Sequence, residues 1–366
     1  MSNNGGKIRV LFVSNGLGKG GKERQIHEII SYLNVHREFE CGLLLRKPEV
    51  AYEIESLQKI HFFIPPHELN SIQFVRFLRD CCSSFKPDVI HTWESWVTNM
   101  THVYRFTLFK KMRVIDGSLR YSKAFKKSGL HYWSARLGRM FAHRVIANSK
   151  SGLASIDYGS PGKYLVVANA MNTERLQKFV GGKKANRPFT LSMVASFTKA
   201  KDYDTLIITV SEMLKDGYDL RCNLIGDGAQ RADMMSLAPS YQSEYFNFTG
   251  MVSDPESWLQ QSNVGVLLAR NGHSEGYSNT IMEFIAAGLP VICTNTGGNP
   301  EMVVENKNGF LIQHESKVQL REAIHKLYES SDLCERMGAE SRSFAERQFY
   351  MSRLIQELLS IYKSVL

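Results

Sequence analysis

Several features that would assign this chain to a special class are missing. No apolar run approaches the roughly 20 residues that cross a bilayer, and the polar opening, residues 1–7, gives no sign of a secretory signal. Cysteine is sparse, with six residues that show no metal-binding spacing and that mostly lie in apolar segments. We therefore expect free, buried thiols, a reducing and cytoplasmic compartment, and no disulfides.

Acidic residues are nearly absent from residues 105–144. This stretch holds eleven Lys or Arg and one acid, Asp116, so it carries a net charge of +10 while the rest of the chain is close to neutral. Aromatic residues are interleaved with the basic ones. A nucleic-acid groove would share these features, but no nucleic-acid motif accompanies them. We favour an anionic membrane surface or an anionic acceptor as the partner, and the alternative is a solvated basic surface.

The chain has the size and composition of a two-domain globular protein. It has 366 residues, of which 43% are hydrophobic and 22% are charged, and this is enough for two separate cores. Residues 179–188, FVGGKKANRP, are glycine-rich, basic and ended by proline, as in a linker. We predict an N-terminal domain over residues 1–178, a C-terminal domain over residues 189–349 and a final amphipathic helix over residues 350–366.

A glycine-rich loop follows the first predicted strand. Residues 7–14 are nearly all apolar and predict a buried parallel strand, and a helical pattern begins after the loop. Gly16, Gly18 and Gly21 satisfy the G-x-G-x-x-G pattern of dinucleotide-binding proteins. The second strand ends in two basic residues and lacks the acid that would hold a ribose. Only an NADP-dependent reductase therefore stays open as a dinucleotide-binding alternative.

The most informative stretch is residues 273–301. Ser278 and its polar neighbours predict a helix N-cap, and Ile281 begins an apolar pattern at helical spacing that predicts a buried face. Glu275 precedes the cap, and Glu283 follows eight residues later, two helical turns further along. A short apolar strand and a Gly-Gly turn complete the stretch.

This combination suits a phosphorylated, hydroxyl-rich ligand. Backbone N–H groups at a helix start attract phosphate, and a carboxylate accepts hydrogen bonds from a vicinal diol such as a ribose or a sugar ring. The ordinary alternative is a solvated helix with two surface glutamates. The cap, the glycines and the following Gly-Gly-x-x-Glu loop favour a binding site.

Three sub-motifs in this order resemble glycosyltransferase family 4. Residues 275–283 look like the E-x7-E signature of that family, and residues 287–291 and 297–301 resemble the two segments that follow it. The resemblance implies the GT-B fold, an α/β arrangement of two Rossmann-like domains facing one another across a cleft, with the C-terminal helix crossing back to the N-terminal domain. It also implies transfer with retention of the anomeric configuration.

The resemblance implies roles for individual residues. Glu283 would hold the nucleotide ribose, Glu275 would contact the donor sugar, and Lys201 would neutralise the leaving diphosphate. Glu275, Lys201 and His91 are the implied catalytic residues. The other implied donor-binding residues are Gly20, Gly21, Ser196, Gly226, Gly276, Tyr277, Ser278, Asn279 and Arg120.

The chain departs from the family pattern at two places. His91 matches the first histidine of the family's H-x-H, whereas the second place holds Trp93, which we interpret as a stacking surface for an acceptor. Ser196 stands where the family carries an arginine, and so it offers a hydrogen bond but no charge. Asp202 and Asp204 form a D-x-D pattern, but they open a predicted helix, which favours capping over a metal site.

We therefore expect a retaining, metal-independent glycosyltransferase without a cofactor. Its donor would be a nucleotide-sugar, with UDP favoured and GDP possible, and its acceptor would be a glycan or a lipid-linked acceptor in cell-surface polysaccharide synthesis. It would work in the cytoplasm, peripherally at the membrane through residues 105–144. Two alternatives stay open, namely a non-catalytic sugar-nucleotide or glycan-binding module, which Ser196 favours, and the NADP-dependent reductase.

Overall fold

The chain divides into two compact units. The first comprises Met1–Asn172 and Met351–Leu366, and the second comprises Thr173–Tyr350. Most of the predicted linker, residues 180–187, lies outside the described residues. The structure is a computed structural model, and it describes residues 7–107, 112–120, 129–156, 162–179, 188–239 and 244–366.

A parallel sheet forms the centre of the first unit. In the described part of this unit its strands are β1 (Arg9–Ser14), β2 (Glu40–Leu45), β3 (His61–Phe63), β4 (Val89–Thr92), β5 (Arg113–Leu119), β6 (Arg144–Ala147) and β7 (Tyr164–Val166). They lie in the order β3-β2-β1-β4-β5-β6-β7. Strand β1 pairs with β2 on one side, where Arg9 is opposite Glu40, and with β4 on the other, where Val10 is opposite Val89. The strand order therefore reverses between β1 and β4.

Helices connect these strands, as parallel pairing requires. The helical pattern predicted after the first glycine loop is confirmed, and its apolar residues Ile26, Ile29 and Leu33 are all buried. The helices described in this unit are α1 (Gly21–His36), α2 (Ser71–Phe85), α3 (Ser95–Thr107), α4 (Leu130–Phe141), α5 (Lys150–Ala154) and, at the end of the chain, α13 (Met351–Lys363).

The last helix of the chain belongs to the core of the first unit. Leu354, Leu358 and Tyr362 of α13 share one buried cluster with Phe12 of β1 and Ile29 of α1. Each such side chain stabilises the fold by about 1.5–3 kcal/mol when it is fully buried. The amphipathic pattern predicted for this segment is confirmed, and its apolar face is what ties the end of the chain to the first unit.

A second parallel sheet forms the centre of the second unit. Its described strands are β8 (Phe189–Val194), β9 (Leu220–Ile225), β10 (Phe246–Gly250), β11 (Val264–Leu267), β12 (Val291–Thr294) and β13 (Gly309–Ile312). They lie in the order β10-β9-β8-β11-β12-β13, so the order reverses between β8 and β11. Loops that follow these two strands therefore leave the same edge of the sheet side by side.

Short helices connect the strands of the second sheet. Ile281, Phe284 and Ile285 are fully buried, which confirms the predicted apolar face. A short 3-10 helix spans Asn299–Glu301. The α-helices described in this unit are α6 (Thr173–Lys178), α7 (Tyr203–Lys215), α8 (Arg231–Leu237), α9 (Pro255–Gln260), α10 (Asn279–Ala286), α11 (Lys317–Glu329) and α12 (Ser331–Gln348).

The remaining general expectations concern membranes and thiols. Within the described ranges, none of the helices is both long enough and apolar enough to cross a bilayer. All six cysteines are free thiols, and only Cys334 is partly exposed, which agrees with the predicted buried thiols.

Candidate functional site

Two loops of the second unit meet where the strand order reverses. Lys201 lies in the loop after β8, and Glu275 lies in the loop after β11. The backbones of these segments are joined by a hydrogen bond from the Asp202 N–H to the Leu268 carbonyl oxygen at 3.0 Å. In open parallel sheets, ligands bind at such a reversal, outside the carboxyl ends of the strands.

Lys201 and Glu275 form an ion pair at this point. The Lys201 ammonium contacts the Glu275 carboxylate; the lysine side chain is largely buried and the glutamate is 36% exposed. Burial lowers the pKa of Lys201 to about 8, because a buried ammonium loses hydration. The adjacent carboxylate favours the charged form, so the ammonium carries its proton at neutral pH. The pair therefore presents a cation that already has an anion against it.

Helix α10 begins beside this pair. Ser278 is its N-cap, as predicted, and the Ser278 hydroxyl accepts a hydrogen bond from the Ile281 N–H at 3.5 Å. The Thr280 hydroxyl donates to the Val194 carbonyl oxygen at 3.0 Å. This bond fastens the start of α10 to the carboxyl end of β8.

The structure corrects one detail of the predicted geometry. The predicted place of Glu275 before the cap is confirmed, since α10 begins at Asn279, but the chain from Glu275 to Glu283 is only partly helical, so the predicted spacing of two helical turns is wrong. The Glu275 carbonyl oxygen instead accepts a hydrogen bond from the Gly298 N–H at 3.0 Å. The Gly-Gly turn that follows β12 therefore holds the backbone of this glutamate.

The residues between Glu275 and α10 are mostly buried. Gly276 and Tyr277 are buried and Asn279 is partly buried. The Tyr277 ring packs edge-to-face on Phe349, with 6.4 Å between ring centroids. Packing of Tyr277 thus fixes the course of the chain into the helix, which is a requirement for presenting backbone groups to a phosphate.

Glu283 is buried in α10 and is paired with an arginine that sequence reasoning missed. Its side chain is 1% exposed, and Arg175 Nη2 donates to Glu283 Oε1 at 2.5 Å. Arg175 Nε also donates to Glu256 Oε1 at 3.1 Å. A carboxylate this deeply buried needs a cationic or hydrogen-bonding partner. No sequence signal marks Arg175, because 108 positions separate it from Glu283.

Ser196 and Gly226 lie where the loops after β8 and β9 come together. The Ala195 N–H donates to the Ile225 carbonyl oxygen at 3.0 Å, and the Phe197 N–H donates to the Asp227 carbonyl oxygen at 3.0 Å. Gly226 has a φ of 141°, and a Cβ there would overlap the carbonyl oxygen of the preceding loop. Glycine is therefore required for this close approach. The uncharged side chain of Ser196, in the loop after β8, is exposed at this edge of the sheet.

The D-x-D pattern has structural partners. Asp202 caps α7, as predicted, by accepting a hydrogen bond from the Thr205 N–H at 3.2 Å. Asp204 forms an ion pair with Arg270. Both carboxylates are therefore engaged by neighbouring protein groups.

The glycine loop of the first unit lies at the corresponding reversal of the first sheet. Gly20 is the N-cap of α1, and Gly21 is its first residue. Lys22 contacts Glu94, which follows β4, and also lies 2.9 Å from Glu23. A carboxylate thus stands next to the loop that was predicted to receive a phosphate.

Glu94 is held firmly in that place. The Ser14 hydroxyl donates to Glu94 Oε1 at 3.0 Å, and the Asn15 N–H donates to both carboxylate oxygens at 3.2 Å. Burial lowers the pKa of Lys22, its ion-pair partner. The negative charge of Glu94 opposes a dinucleotide phosphate here and weighs against the reductase alternative.

His91 lies in the core of the first unit. It has no exposed surface, and its Nδ1 lies 2.9 Å from the Tyr362 hydroxyl of α13. Burial, assisted by the charge of Arg120, lowers the pKa of His91 to about 3, so the ring is neutral. Its observed partners are structural, and a catalytic role for His91 stays a prediction.

Trp93 is also buried, which corrects its interpretation as an acceptor-stacking surface. It is 2% exposed, His91 stacks on it with 5.2 Å between centroids, and the Arg120 guanidinium lies 4.1 Å from its ring centroid. Arg120 also donates to the Gly117 carbonyl oxygen and to Asn169 Oδ1, both at 3.1 Å. With its ring covered by these neighbours, Trp93 offers no stacking face to a sugar.

Both units of the chain match the sequence profiles of known families. Residues 19–175 match the sequence profile described as glycosyltransferase family 4, and residues 174–344 match the profile described as glycosyl transferases group 1. The two profiles follow one another along most of the chain. The chain belongs to glycosyltransferase family 4.

Alignments with individual relatives either have low sequence identity or cover only part of the chain. The chain is 46% identical to spore coat protein SA of Bacillus subtilis over 123 residues, which are 33% of this chain and 33% of that protein. It is 24% identical to a Campylobacter jejuni N-acetylgalactosamine-N,N'-diacetylbacillosaminyl-diphospho-undecaprenol 4-alpha-N-acetylgalactosaminyltransferase over 335 residues, 87% of this chain and 89% of that protein. The alignments with three of the curated relatives span only 33%, 41% and 48% of those proteins.

Solved structures of similar proteins identify the fold as GT-B. The Anabaena protein HepE, solved in complex with UDP and glucose, superposes with a TM-score of 0.77 over 98% of this chain and 100% of that one, at 17% identity. At that identity the likeness concerns the fold alone. This likeness of fold agrees with the two parallel sheets of the chain, whose strands are connected by helices.

Proposed function

We propose that this family 4 chain is a glycosyltransferase that binds a nucleotide-sugar through its second unit and transfers the sugar to an acceptor hydroxyl. The observation that carries the proposal is the Lys201–Glu275 ion pair at the strand reversal of the second sheet. A helix N-terminus and a buried carboxylate, Glu283, lie in the same loop–helix segment. Cation, helix start and carboxylates together suit a diphosphate linked to two hydroxyl-bearing rings.

Lys201 would stabilise the leaving diphosphate. In transfer, the bond between the anomeric carbon and the diphosphate oxygen breaks, and a bond to the acceptor oxygen forms. The hydroxyl proton passes to the departing phosphate. A preorganised cation lowers the energy of the charge that develops on that phosphate. Because the Lys201 ammonium lies against Glu275 in this structure, the diphosphate would take over as its anionic partner, and Glu275 would turn to the hydroxyls of the donor sugar.

Glu283 would recognise the ribose. Arg175 donates to this buried carboxylate and orients it, and the hydroxyls of a ribose can donate to it. The exposed Ser196 would contribute a hydrogen bond to the diphosphate, and Gly226 would allow the loops after β8 and β9 to approach each other closely enough to present it.

The resemblance to the family supports two finer features of the proposed reaction. We propose a retaining reaction in which the acceptor attacks on the face that the diphosphate leaves. We also propose that no metal ion takes part, since Lys201 and the start of α10 supply the charge that neutralises the phosphate. Activity that persists in EDTA supports this, and a strict requirement for Mg²⁺ or Mn²⁺ would contradict it.

The relatives guide the choice of substrates. UDP-sugars are the favoured donors, since HepE was solved with UDP, and GDP-sugars are the second choice. The Campylobacter relative is named for an acceptor that is linked to diphospho-undecaprenol, a lipid carrier. We therefore propose a glycan or lipid-linked acceptor in cell-surface polysaccharide synthesis.

A thermal-shift panel of UDP-, GDP- and ADP-sugars tests the donor site. We expect one nucleotide class to raise the melting temperature of the wild type and to lose that effect in Glu283→Gln. Glu335→Gln is the control, because Glu335 is an exposed glutamate of the same unit. An unchanged shift in Glu283→Gln would remove the ribose role.

A non-catalytic sugar-nucleotide-binding module is the second candidate. The uncharged Ser196 favours it, because a site that only binds needs less stabilisation of a leaving phosphate than a site that transfers. Release of UDP from a UDP-sugar by the wild type, lost in Lys201→Met, distinguishes the enzyme from the module.

A further inference from the structure

An apolar stripe runs along the solvent-facing side of α4 in the first unit. Leu130, Trp133, Leu137 and Met140 are 89%, 55%, 52% and 55% exposed. Their spacing of three, four and three residues places them on one face of the helix. A helix on a protein surface normally turns its apolar face towards the core. Helix α4 instead turns this apolar face towards solvent.

The opposite face of α4 is already packed. Asn99 of α3 donates to the Ser134 hydroxyl at 2.7 Å, and His102 Nε2 lies 3.0 Å from the Gly138 carbonyl oxygen. Ala135 on the same side is buried. The apolar stripe is therefore not needed to attach the helix to the first unit, and its side chains remain available to a partner.

Phe141 at the end of α4 and Phe106 on α3 extend the stripe from one helix to the other. Phe106 and Phe141 are exposed, and their rings meet edge-to-face with 5.1 Å between centroids. Contiguous exposed apolar surface of this kind marks interaction sites. We name the six residues the α4 patch: Leu130, Trp133, Leu137, Met140, Phe106 and Phe141.

Cations surround the patch. The Arg136 guanidinium lies 5.2 Å from the ring centroid of Trp133. Arg105 donates to the Phe141 carbonyl oxygen at 3.2 Å, and Lys163 donates to the Met140 carbonyl oxygen at 2.7 Å. Neither α3 nor α4 contains an Asp or Glu. The charged side chains that α3 and α4 themselves contribute around the stripe are therefore all positive.

We infer that the α4 patch docks on the surface of an anionic phospholipid membrane. Apolar and aromatic side chains of an interfacial helix enter the boundary between headgroups and acyl chains, while flanking Arg and Lys attract anionic headgroups. A second copy of this chain is a poorer occupant, because a self-complementary contact would bring the Arg and Lys side chains around the two patches together. A nucleic acid would engage the cations but not the apolar stripe.

Flotation of the full chain with lipid vesicles tests the inference. We expect binding to phosphatidylcholine vesicles that contain phosphatidylglycerol, weak binding to pure phosphatidylcholine, and a decline in binding as salt increases. The double variant Trp133→Ser/Leu137→Ser should bind at least about tenfold more weakly, and Arg136→Gln about fivefold more weakly.

A matched double variant separates this surface from general exposure. Ile72 and Val35 belong to the same unit and are 67% and 64% exposed, so Ile72→Ser/Val35→Ser should bind like the wild type. Equal melting temperatures of the two double variants would show that binding is lost without unfolding.

Three results would overturn the inference. They are equal binding to neutral and anionic vesicles, no vesicle binding at any composition, and a dimer in solution that Trp133→Ser/Leu137→Ser dissociates while vesicle binding persists.

Discussion

The two units place the same pair of charges at the same point of two similar sheets. In the first unit, Lys22 after β1 pairs with Glu94 after β4, and in the second, Lys201 after β8 pairs with Glu275 after β11. The first carboxylate is fixed by hydrogen bonds from Ser14 and the backbone of β1's loop. The second is more exposed and lies ahead of α10.

This difference teaches that a charge pair at a strand reversal is not by itself a ligand site. Glu94 is 18% exposed and Glu275 is 36% exposed, so the second carboxylate has more freedom to leave its lysine. The second pair stands beside a helix start that the Ser278 side chain caps, with the buried Glu283 on that helix, whereas the N-cap of α1 is Gly20, which has no side chain to cap it. We therefore assign ligand binding to the pair in the second unit and structural support to the pair in the first.

The strongest way to break the comparison is to remove each lysine. Lys201→Met should lower kcat for sugar transfer about 100-fold or more, the usual effect of losing one group that stabilises a developing anion. Lys22→Met should leave kcat within a few-fold and lower the free energy of unfolding by about 1 kcal/mol. Steady-state kinetics and urea unfolding measure both effects, and equal losses of kcat would contradict the assignment.

Substitution of Arg175 tests how its ion pairs stabilise the candidate donor site of the second unit. Arg175→Gln leaves Glu283 and Glu256 without their shared cation, and we expect a loss of about 3 kcal/mol of unfolding free energy and a raised KM for the donor. Urea unfolding measures the first effect and steady-state kinetics the second. Arg321→Gln is the control, because its ion pair with Asp216 is exposed and should be worth less than about 1 kcal/mol. Similar losses in both variants would argue against a special role for Arg175.

The pH dependence of donor binding sharpens the comparison further. The pKa of Lys201 in the free protein is about 8, and a bound diphosphate would raise it, so binding takes up a proton above pH 8. Affinity for a UDP-sugar should therefore fall by up to about tenfold per pH unit above 8, as measured by isothermal titration calorimetry in buffers of matched ionic strength. Lys201→Met should bind weakly at every pH, and a flat profile for the wild type would exclude the lysine.

The same pKa also affects folding. Burial lowers the pKa of Lys201 below its ordinary value of 10.5, so the unfolded chain holds this proton more tightly than the folded chain does. The contribution of Lys201 to stability therefore rises with pH between about 8 and 10.5. Stability and donor affinity should move in opposite directions across this window.

The smallest expected effect comes from restoring the missing charge. Ser196→Arg places a cation on the exposed loop after β8, and a charge-assisted hydrogen bond to the diphosphate should improve donor affinity about fivefold. Ser192→Arg is unsuitable as a control, since Ser192 is buried, whereas Ser236→Arg places the charge at an exposed position on α8. Equal effects of Ser196→Arg and Ser236→Arg would show only a general attraction of the anion.

Local patterns in the sequence predicted the parts of this structure that depend on neighbours in the chain. The cap at Ser278, the cap at Asp202 and the apolar faces of α1, α10 and α13 follow from side-chain chemistry within a few residues. The two Rossmann-like α/β domains were expected from the resemblance to glycosyltransferase family 4, and the two parallel sheets agree with that expectation.

Contacts between distant positions could not be predicted in this way. His91 and Tyr362 are 271 positions apart, and their contact is part of what places His91 in the core of the first unit. Burial of Trp93 depends on the same core together with Arg120. Arg175 was missed because only the folded second unit brings it to Glu283 and Glu256.

A crystal structure of the protein soaked with UDP tests the central claim most directly. We predict electron density for the diphosphate against Lys201 Nζ and the start of α10, with the ribose hydroxyls on the Glu283 carboxylate. Density for the diphosphate at Gly20 and Gly21, with Lys201 still paired to Glu275, would contradict the assignment of the donor site to the second unit.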